Sequence, residues 1–199
     1  MTEPQVLLAS ASPRRSELLR QVGIAHAVRP VGIDESVRAG EAPSAYVLRL
    51  AEEKAAALWR ELGPAQRRPV LAADTTVALE GEIFGKPGSL DEARVMLGRL
   101  SGRTHEVHTA VAVLHAGGAA ARLSSSTVTF RELTRPEIDW YWRTGEPADK
   151  AGGYAVQGRA AAFISHIAGS YSGIMGLPLY ETWELLAPVL GLTPGGPRA

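Results

Sequence analysis

The chain has 199 residues, 45% of them hydrophobic, with 21 basic and 21 acidic side chains and so no formal net charge. That length supports one domain with a substantial core and room for two lobes, and the charge balance argues against a general nucleic-acid binder, which is usually basic. The absence of cysteine excludes disulfides and thiolate metal sites. No basic-then-apolar leader opens the chain and no apolar run reaches membrane-spanning length, so a cytoplasmic protein with neither membrane nor nucleic acid as partner is expected.

The first element is a short buried strand in "QVLLAS" (5–10). A helix follows, capped by Ser12 with Pro13 in its first position and Gly23 as its stop. Arg14 and Arg15 stand in the first turn of that helix, where the macrodipole is positive and acidic residues are favoured. One reading is a solvated face. The other is a bound anion, held by helix N–H groups and two guanidinium forks, with Ser10 and Ser12 adding hydroxyls.

"AHAVRPVGIDES" (25–36) reads as a strand and then a loop carrying Glu35, an acid with no local helix to cap. "PSAYVLRLAEEKAAALWREL" (43–62) is a long helix ended by Gly63-Pro64. Its Lys54 reads from spacing as a surface lysine. "RPVLAADTTVAL" (68–79) holds a buried strand expected to end at Asp74, and ligand sites in open α/β sheets gather at such ends; capping of a turn is the competing role. "VALEGEIF" (77–84) turns at Glu80-Gly81 as a hairpin. "GEIFGKP" is no P-loop: Gly81 to Gly85 is one residue short, and Pro87 stands in place of Ser or Thr. Lys86 is a turn lysine that can still reach a phosphate.

Capping-box spacings at Ser89/Glu92 and Thr134/Glu137 start two further helices. Between them, residues 105–133 read as a long hairpin, with His105 and His108 in structural roles. No zinc-ligand spacing links the histidines, and "GSYSG" is no nucleophile elbow. "GEPADKAGGYAVQG" (145–158) is an irregular loop of dense chemistry, in which Tyr154 and Gln157 have bland readings as core and as a satisfier of backbone groups. A strand over 161–169, a last helix over 177–190 and a frayed tail over 191–199 complete the chain. Alternating strands and helices followed by a hairpin argue for a mixed α/β sheet with helices on its faces.

"LLASASPRRSELL", "GIDES", "LAEEKA", "LAADTTV", "GKP", "LSGRTHEVHTAV", "GEPADKAGGYAVQG" and "GSYSGIMGLPL" occur in order, and together they resemble the Maf family of nucleoside triphosphate pyrophosphatases from about Val6 to about Leu190. The resemblance implies one α/β domain over 1–190: an elongated mixed sheet flanked by helices, with two lobes around a cleft, similar to the inosine-triphosphate pyrophosphatase fold. It implies hydrolysis of a nucleoside triphosphate to monophosphate and pyrophosphate with a divalent cation, Mg2+ or Mn2+. By motif match Ser10, Arg14, Arg15, Glu35, Lys54, Asp74 and Lys86 take active-site positions, Asp74 that of the proton acceptor; as carboxylates from separate segments, Glu35 and Asp74 are the expected metal ligands.

Arg14, Asp74-Thr75 and Gln157 resemble the branch acting on dTTP and UTP rather than that acting on 7-methyl-GTP. A Gln amide complements the N3–H donor and O4 acceptor of uracil and thymine, whereas guanine's paired donors suit a carboxylate. Gly173 departs from the Asn common there. A homodimer is usual for the family. Because the family is named for an effect on cell division, a regulatory nucleotide-binding protein without significant turnover is the alternative to the enzyme.

Overall fold

The computed structural model describes residues 3–193 and 196–197 and is organised around a mixed sheet of seven strands. β1 (Val6–Leu8) leads into helix α1 (Pro13–Gln21), and β2 (His26–Val28) returns parallel to β1. Helix α2 (Pro43–Glu61) crosses to β3 (Val70–Leu79), which also runs parallel to β1. β4 (Glu82–Phe84), β5 (Thr104–His115), β6 (Gly118–Phe130) and β7 (Ile164–Ala168) add antiparallel pairings, giving the order β2-β1-β3-β5-β6-β7 with β4 beside the far end of β3. The remaining helices are α3 (Leu90–Leu100), α4 (Arg135–Trp142), α5 (Tyr171–Met175) and α6 (Leu179–Leu190).

Three apolar clusters show why the sheet holds two lobes. Leu71, Ala73 and Val111 pack on one face with Leu18, Leu19 and Leu186 from α1 and α6. Val70, Ala72 and Ala110 pack on the other with Val47, Ala51 and Leu58 from α2. The third cluster lies toward the opposite end of the long strands, where Val77, Val107 and Phe130 meet Leu97, Tyr141, Tyr154 and Phe163. Strands β3, β5 and β6 are continuous through both lobes, and the cleft lies where the first two clusters give way to the third.

The β3–β4 hairpin turns at Glu80 and Gly81, both at positive φ (53° and 81°), as a two-residue turn between twisted strands requires. At α4 the Glu137 carboxylate accepts from the Thr134 N–H at 2.8 Å, the return half of a capping box. At α3 only part of that pattern forms: Ser89 accepts from the Glu92 N–H, while the Glu92 carboxylate reaches back to the Gly88 N–H.

Two expectations are corrected. β3 does not end at Asp74 but runs five residues further, paired to β5 from Val70↔Leu114 to Ala78↔Glu106, because the β-branched and apolar "TTVAL" continues a good strand. The segment 145–158 is ordered into short 3₁₀ turns over Glu146–Asp149 and Ala151–Gly153, and it is largely buried from Gly152 to Val156. Of the tail, residues 194–195 and 198–199 lie outside the described residues, while Leu192–Thr193 pairs with Gly196–Pro197. Among the described residues no helix is long and apolar enough to cross a membrane.

Candidate active site

The register of β3 explains where the cleft opens. β1 reaches only Leu8, opposite Leu71, and β4 joins only from Val77 onward. Between them the edge of β3 facing away from β5 has no neighbouring strand. Asp74 and Thr75 lie in that gap, past the end of β1 rather than of their own strand. A cleft of about 440 Å³ occupies it.

Side-chain alternation along β3 then sends neighbouring residues to opposite faces. Val70, Ala72 and Asp74 point toward α2; Leu71, Ala73 and Thr75 point toward α1 and α6. Asp74 therefore meets a residue of α2 and Thr75 a residue of α1. The ammonium of Lys54, on α2, lies 2.7 Å from Asp74 Oδ1 and 2.6 Å from Glu35 Oε1. Far from being a surface lysine, Lys54 is only 8% exposed, and two carboxylates from separate segments balance its buried charge. Burial raises the pKa of Asp74, while Lys54 and Arg15 act to lower it and Glu35 adds to the rise. For Glu35, half-exposed, burial also acts upward, but Lys54, Lys86 and Arg15 prevail and its pKa is lowered.

On the other face the Arg15 guanidinium is spent on the protein. Its Nε donates to the Gly176 carbonyl at 2.8 Å, Nη1 to Ser10 Oγ at 3.0 Å and Nη2 to Thr75 Oγ1 at 3.4 Å. Ser10 Oγ also accepts from the Ser12 N–H. The Thr109 hydroxyl lies 2.7 Å from the Gly173 carbonyl and 3.0 Å from Thr75 Oγ1. A carbonyl can only accept, so Thr109 gives its one proton to Gly173, and Thr75 gives its proton to Thr109. The lone pairs of Thr75 are then free to face Arg15. Burial lowers the Arg15 pKa, opposed chiefly by Asp74.

Arg14 has no such scaffold. Its Nη1 lies 3.8 Å from Asp149 Oδ2, and a quarter of its side chain is exposed. No acidic side chain stands in the first turn of α1, and the Ser12 hydroxyl makes no capping bond. The two arginines of the sequence thus divide: Arg15 braces the site and Arg14 faces it. Lys86 and Gln157, both exposed, complete the cleft wall.

All nine sequence-selected residues line this one cleft. Among the other lining residues, Tyr46, Asp149 and Lys150 are titratable groups that the sequence did not select as site residues. Tyr46 donates to the Glu35 carbonyl at 2.9 Å and fixes that loop; burial, with Asp74 and Glu35 near, pushes its phenol up to about 12. Asp149 and Lys150 pair with each other on the rim. Their presence in "EPADKAGG" was a signal of chemistry, but Arg14 is distant from both in sequence. Elsewhere in that segment the bland reading holds for Tyr154, but not for the exposed Gln157, which satisfies no backbone group among the described residues. Tyr154 is core, its hydroxyl 2.8 Å from His105 Nε2, and burial lowers the His105 pKa to about 4. Glu146 anchors the segment, accepting from the Tyr141 hydroxyl at 2.6 Å and the Arg159 N–H at 3.0 Å.

The donor set suits a hard divalent cation and a polyphosphate. Glu35 and Asp74 already converge on one cation, the Lys54 ammonium, with oxygen ligands of the kind magnesium takes. Among the described residues no third acidic or histidine ligand joins them, and magnesium commonly completes its shell with water and substrate phosphates.

The Maf-like protein family model matches residues 5–189. A dTTP/UTP pyrophosphatase of Alkalilimnicola ehrlichii is 53% identical over 186 residues, which cover 92% of each chain. That of Pseudoalteromonas atlantica is 48% identical over 92% of this chain and 95% of its own, and that of Methylobacillus flagellatus 53% over 92% and 91%. Among solved structures, a nucleoside-triphosphatase / dITP/XTP pyrophosphatase from Mycobacterium abscessus superposes with a TM-score of 0.40 at 15% identity, over 63% of this chain and 73% of its own.

Proposed function

The chain belongs to the Maf family, and from that premise we propose that it hydrolyses dTTP and UTP to the monophosphate and pyrophosphate. The observation that carries the reading is the Glu35–Lys54–Asp74 bridge, with contacts of 2.6 and 2.7 Å, facing Arg14 and Lys86 across one cleft. The relatives named as dTTP/UTP pyrophosphatases, about half identical over nearly the full length, support the substrate class.

Phosphoryl chemistry of this type is largely positioning and electrostatic stabilisation. Arg14 and Lys86 bind the phosphates and stabilise the charge that develops on the leaving pyrophosphate. Lys54 holds Asp74 Oδ1, so Oδ2 is the oxygen available to a water. That water attacks the α-phosphorus: an O–P bond forms, the bond to the β-phosphate oxygen breaks, and the water's proton passes to Asp74. An ordinary Asp, with a pKa of about 3.9, is a weak base at neutral pH; the burial that raises the Asp74 pKa makes it a better one. When bound to Glu35 and Asp74, magnesium or manganese supplies Lewis acidity and offsets phosphate charge. Gln157 is positioned on the wall to read the base, its amide matching a pyrimidine's N3–H and O4.

The test is pyrophosphate release from a panel of nucleoside triphosphates, with and without magnesium. Metal-dependent release from dTTP and UTP is expected. Nucleotide binding without release from any member overturns the enzymatic reading in favour of a regulatory nucleotide-binding protein.

A further inference from the structure

Among the described residues, Asp149 is the one cleft-lining carboxylate that takes no part in the Lys54 bridge. It is well exposed, with 69% of its side chain accessible, and both its oxygens face cations: Oδ2 lies 3.8 Å from Arg14 Nη1, and Oδ1 pairs with the Lys150 ammonium. Lys150 is otherwise a cation of the cleft wall with only 13% of its side chain exposed. The segment is tied to the Lys86 loop, because the Gly152 N–H donates to the Gly85 carbonyl at 2.9 Å. Arg14, Lys86 and Lys150 therefore face one rim of the cleft, and a carboxylate of the protein itself lies among them.

Such a carboxylate presents two oxygens to two cations, as one phosphate group of a polyphosphate does. A 3.8 Å contact without hydrogen-bond geometry, made by an exposed side chain, is also weak and easily exchanged. We propose that Asp149 is a built-in competitor for the pyrophosphate moiety: in the free protein it holds Arg14 and Lys150, and a diphosphate-bearing ligand displaces it from both. Lys150 thereby becomes a further phosphate-binding residue, reached only once Asp149 has moved. The competitor sets a charge threshold. A triphosphate, with about four negative charges near neutral pH, displaces one carboxylate from two cations more readily than a monophosphate, with about two, which favours triphosphate over monophosphate and assists release of the product left with a single phosphate. This rests on the reading of the cleft as a nucleoside triphosphate site.

The test is calorimetric titration of the full-length protein with inorganic pyrophosphate. Asp149→Asn is expected to bind it about two- to fivefold more tightly, the size of one exposed ion pair, with Asp149→Ser giving the same direction. In an Arg14→Gln background the gain is expected to shrink, because a competitor acts only through the cations it occupies. Unchanged or weaker binding by both Asp149 variants overturns the proposal and makes Asp149 a positioning residue for the cations. An undiminished gain in the Arg14→Gln background also overturns it, leaving only general repulsion. Turnover of dTTP by the wild type, measured alongside, separates the two readings. Turnover without any affinity gain sinks the Asp149 proposal alone; an affinity gain in a protein that hydrolyses no nucleotide sinks the pyrophosphatase reading and leaves the anion competitor standing.

Discussion

Lys54 Nζ stands 2.7 Å from Asp74 Oδ1, and this contact joins the long helix to the open edge of the sheet at the point where the chemistry is placed. Asp74→Asn removes the proton acceptor while keeping the shape. Turnover is expected to fall by about 10³-fold or more, within the range that a positioned general base contributes. Nucleotide binding should survive within a few-fold. If binding falls in parallel with turnover, as measured by titration with a non-hydrolysable analogue, Asp74 is a structural residue and not an acceptor.

The same residue makes a prediction about pH and stability. The folded-state pKa of Asp74 is raised above its ordinary 3.8, so the folded protein binds the proton more tightly than the unfolded chain. Its contribution to stability is favourable below the unfolded value and is lost as pH rises through the folded one. Asp74→Asn is therefore expected to raise the melting temperature at neutral pH, and the difference should close as pH falls below 3.8. Glu35 remains to pair with Lys54 in the variant. The acid limb of kcat/KM in the wild type should lie above the ordinary Asp value of 3.8. A variant less stable than wild type at pH 7 would mean that the ion pair outweighs burial.

Glu41 works in the opposite sense. Its carboxylate takes Arg49 Nε at 2.6 Å and Nη2 at 2.7 Å, which holds its pKa at about 2, down from 4.5. Arg49 Nη2 also donates to the Ser36 carbonyl, so the pair pins the loop that carries Glu35. A depressed carboxylate stabilises the fold above its unfolded pKa and loses that effect as pH falls through its folded one. Wild type should lose stability progressively between pH 4.5 and 2. Glu41→Gln should be less stable at neutral pH and should show less of that loss. A pH-stability profile identical to wild type would show that the pair contributes nothing measurable.

What the sequence made legible was decided by local physics. The Ala-, Leu- and Glu-rich run of α2, the hairpin turn at Glu80-Gly81 and the Thr134/Glu137 cap are each specified within a few residues, and each formed as expected. The site residues were legible as an ordered set of motifs, not from their individual spacing. Lys54 shows why: nothing within "AEEKAAA" reveals that two carboxylates, 19 residues before it and 20 after it, surround its ammonium. The end of β3 was misjudged because Asp74 looks like a strand breaker, whereas the terminating strand is its neighbour β1. α5 escaped notice because five residues containing a glycine carry no periodicity. The division of labour between Arg14 and Arg15 depends on Gly176, 161 residues away from Arg15, and no local pattern encodes it.

That division is itself testable at Thr75, whose hydroxyl lies between Arg15 Nη2 at 3.4 Å and Thr109 Oγ1 at 3.0 Å. Thr75→Val keeps the volume but leaves the guanidinium and the Thr109 hydroxyl each short of a partner. The cost is expected at about 1–3 kcal/mol of stability, as for other buried polar groups left unpaired. Thr75→Ser restores the hydroxyl and should recover most of it. In steady-state kinetics Thr75→Val should lower kcat/KM by misplacing α1 and with it Arg14. Equal stability and kinetics for the Val and Ser variants would show that Thr75 does not brace Arg15.

Gly152 offers the strongest single-residue test of how the rim is built. It adopts φ +69°, and an added Cβ would come within 2.8 Å of Val77 Cγ2. Gly152→Ala therefore combines a left-handed conformation, costing roughly 1–2 kcal/mol for a residue with a Cβ, with overpacking against β3 that typically adds about 1–3 kcal/mol. The segment 146–157 can relieve the clash only by moving off the strand, which breaks the Gly152–Gly85 hydrogen bond and carries Lys150 and Gln157 away from Lys86. A fall in melting temperature together with a rise in KM is expected. Gly153→Ala, also at positive φ but facing Pro87 at 3.3 Å, should be milder. If Gly152→Ala melts lower yet keeps its KM for nucleotide, the rim does not depend on this contact, and Lys86 alone positions the phosphates on that side.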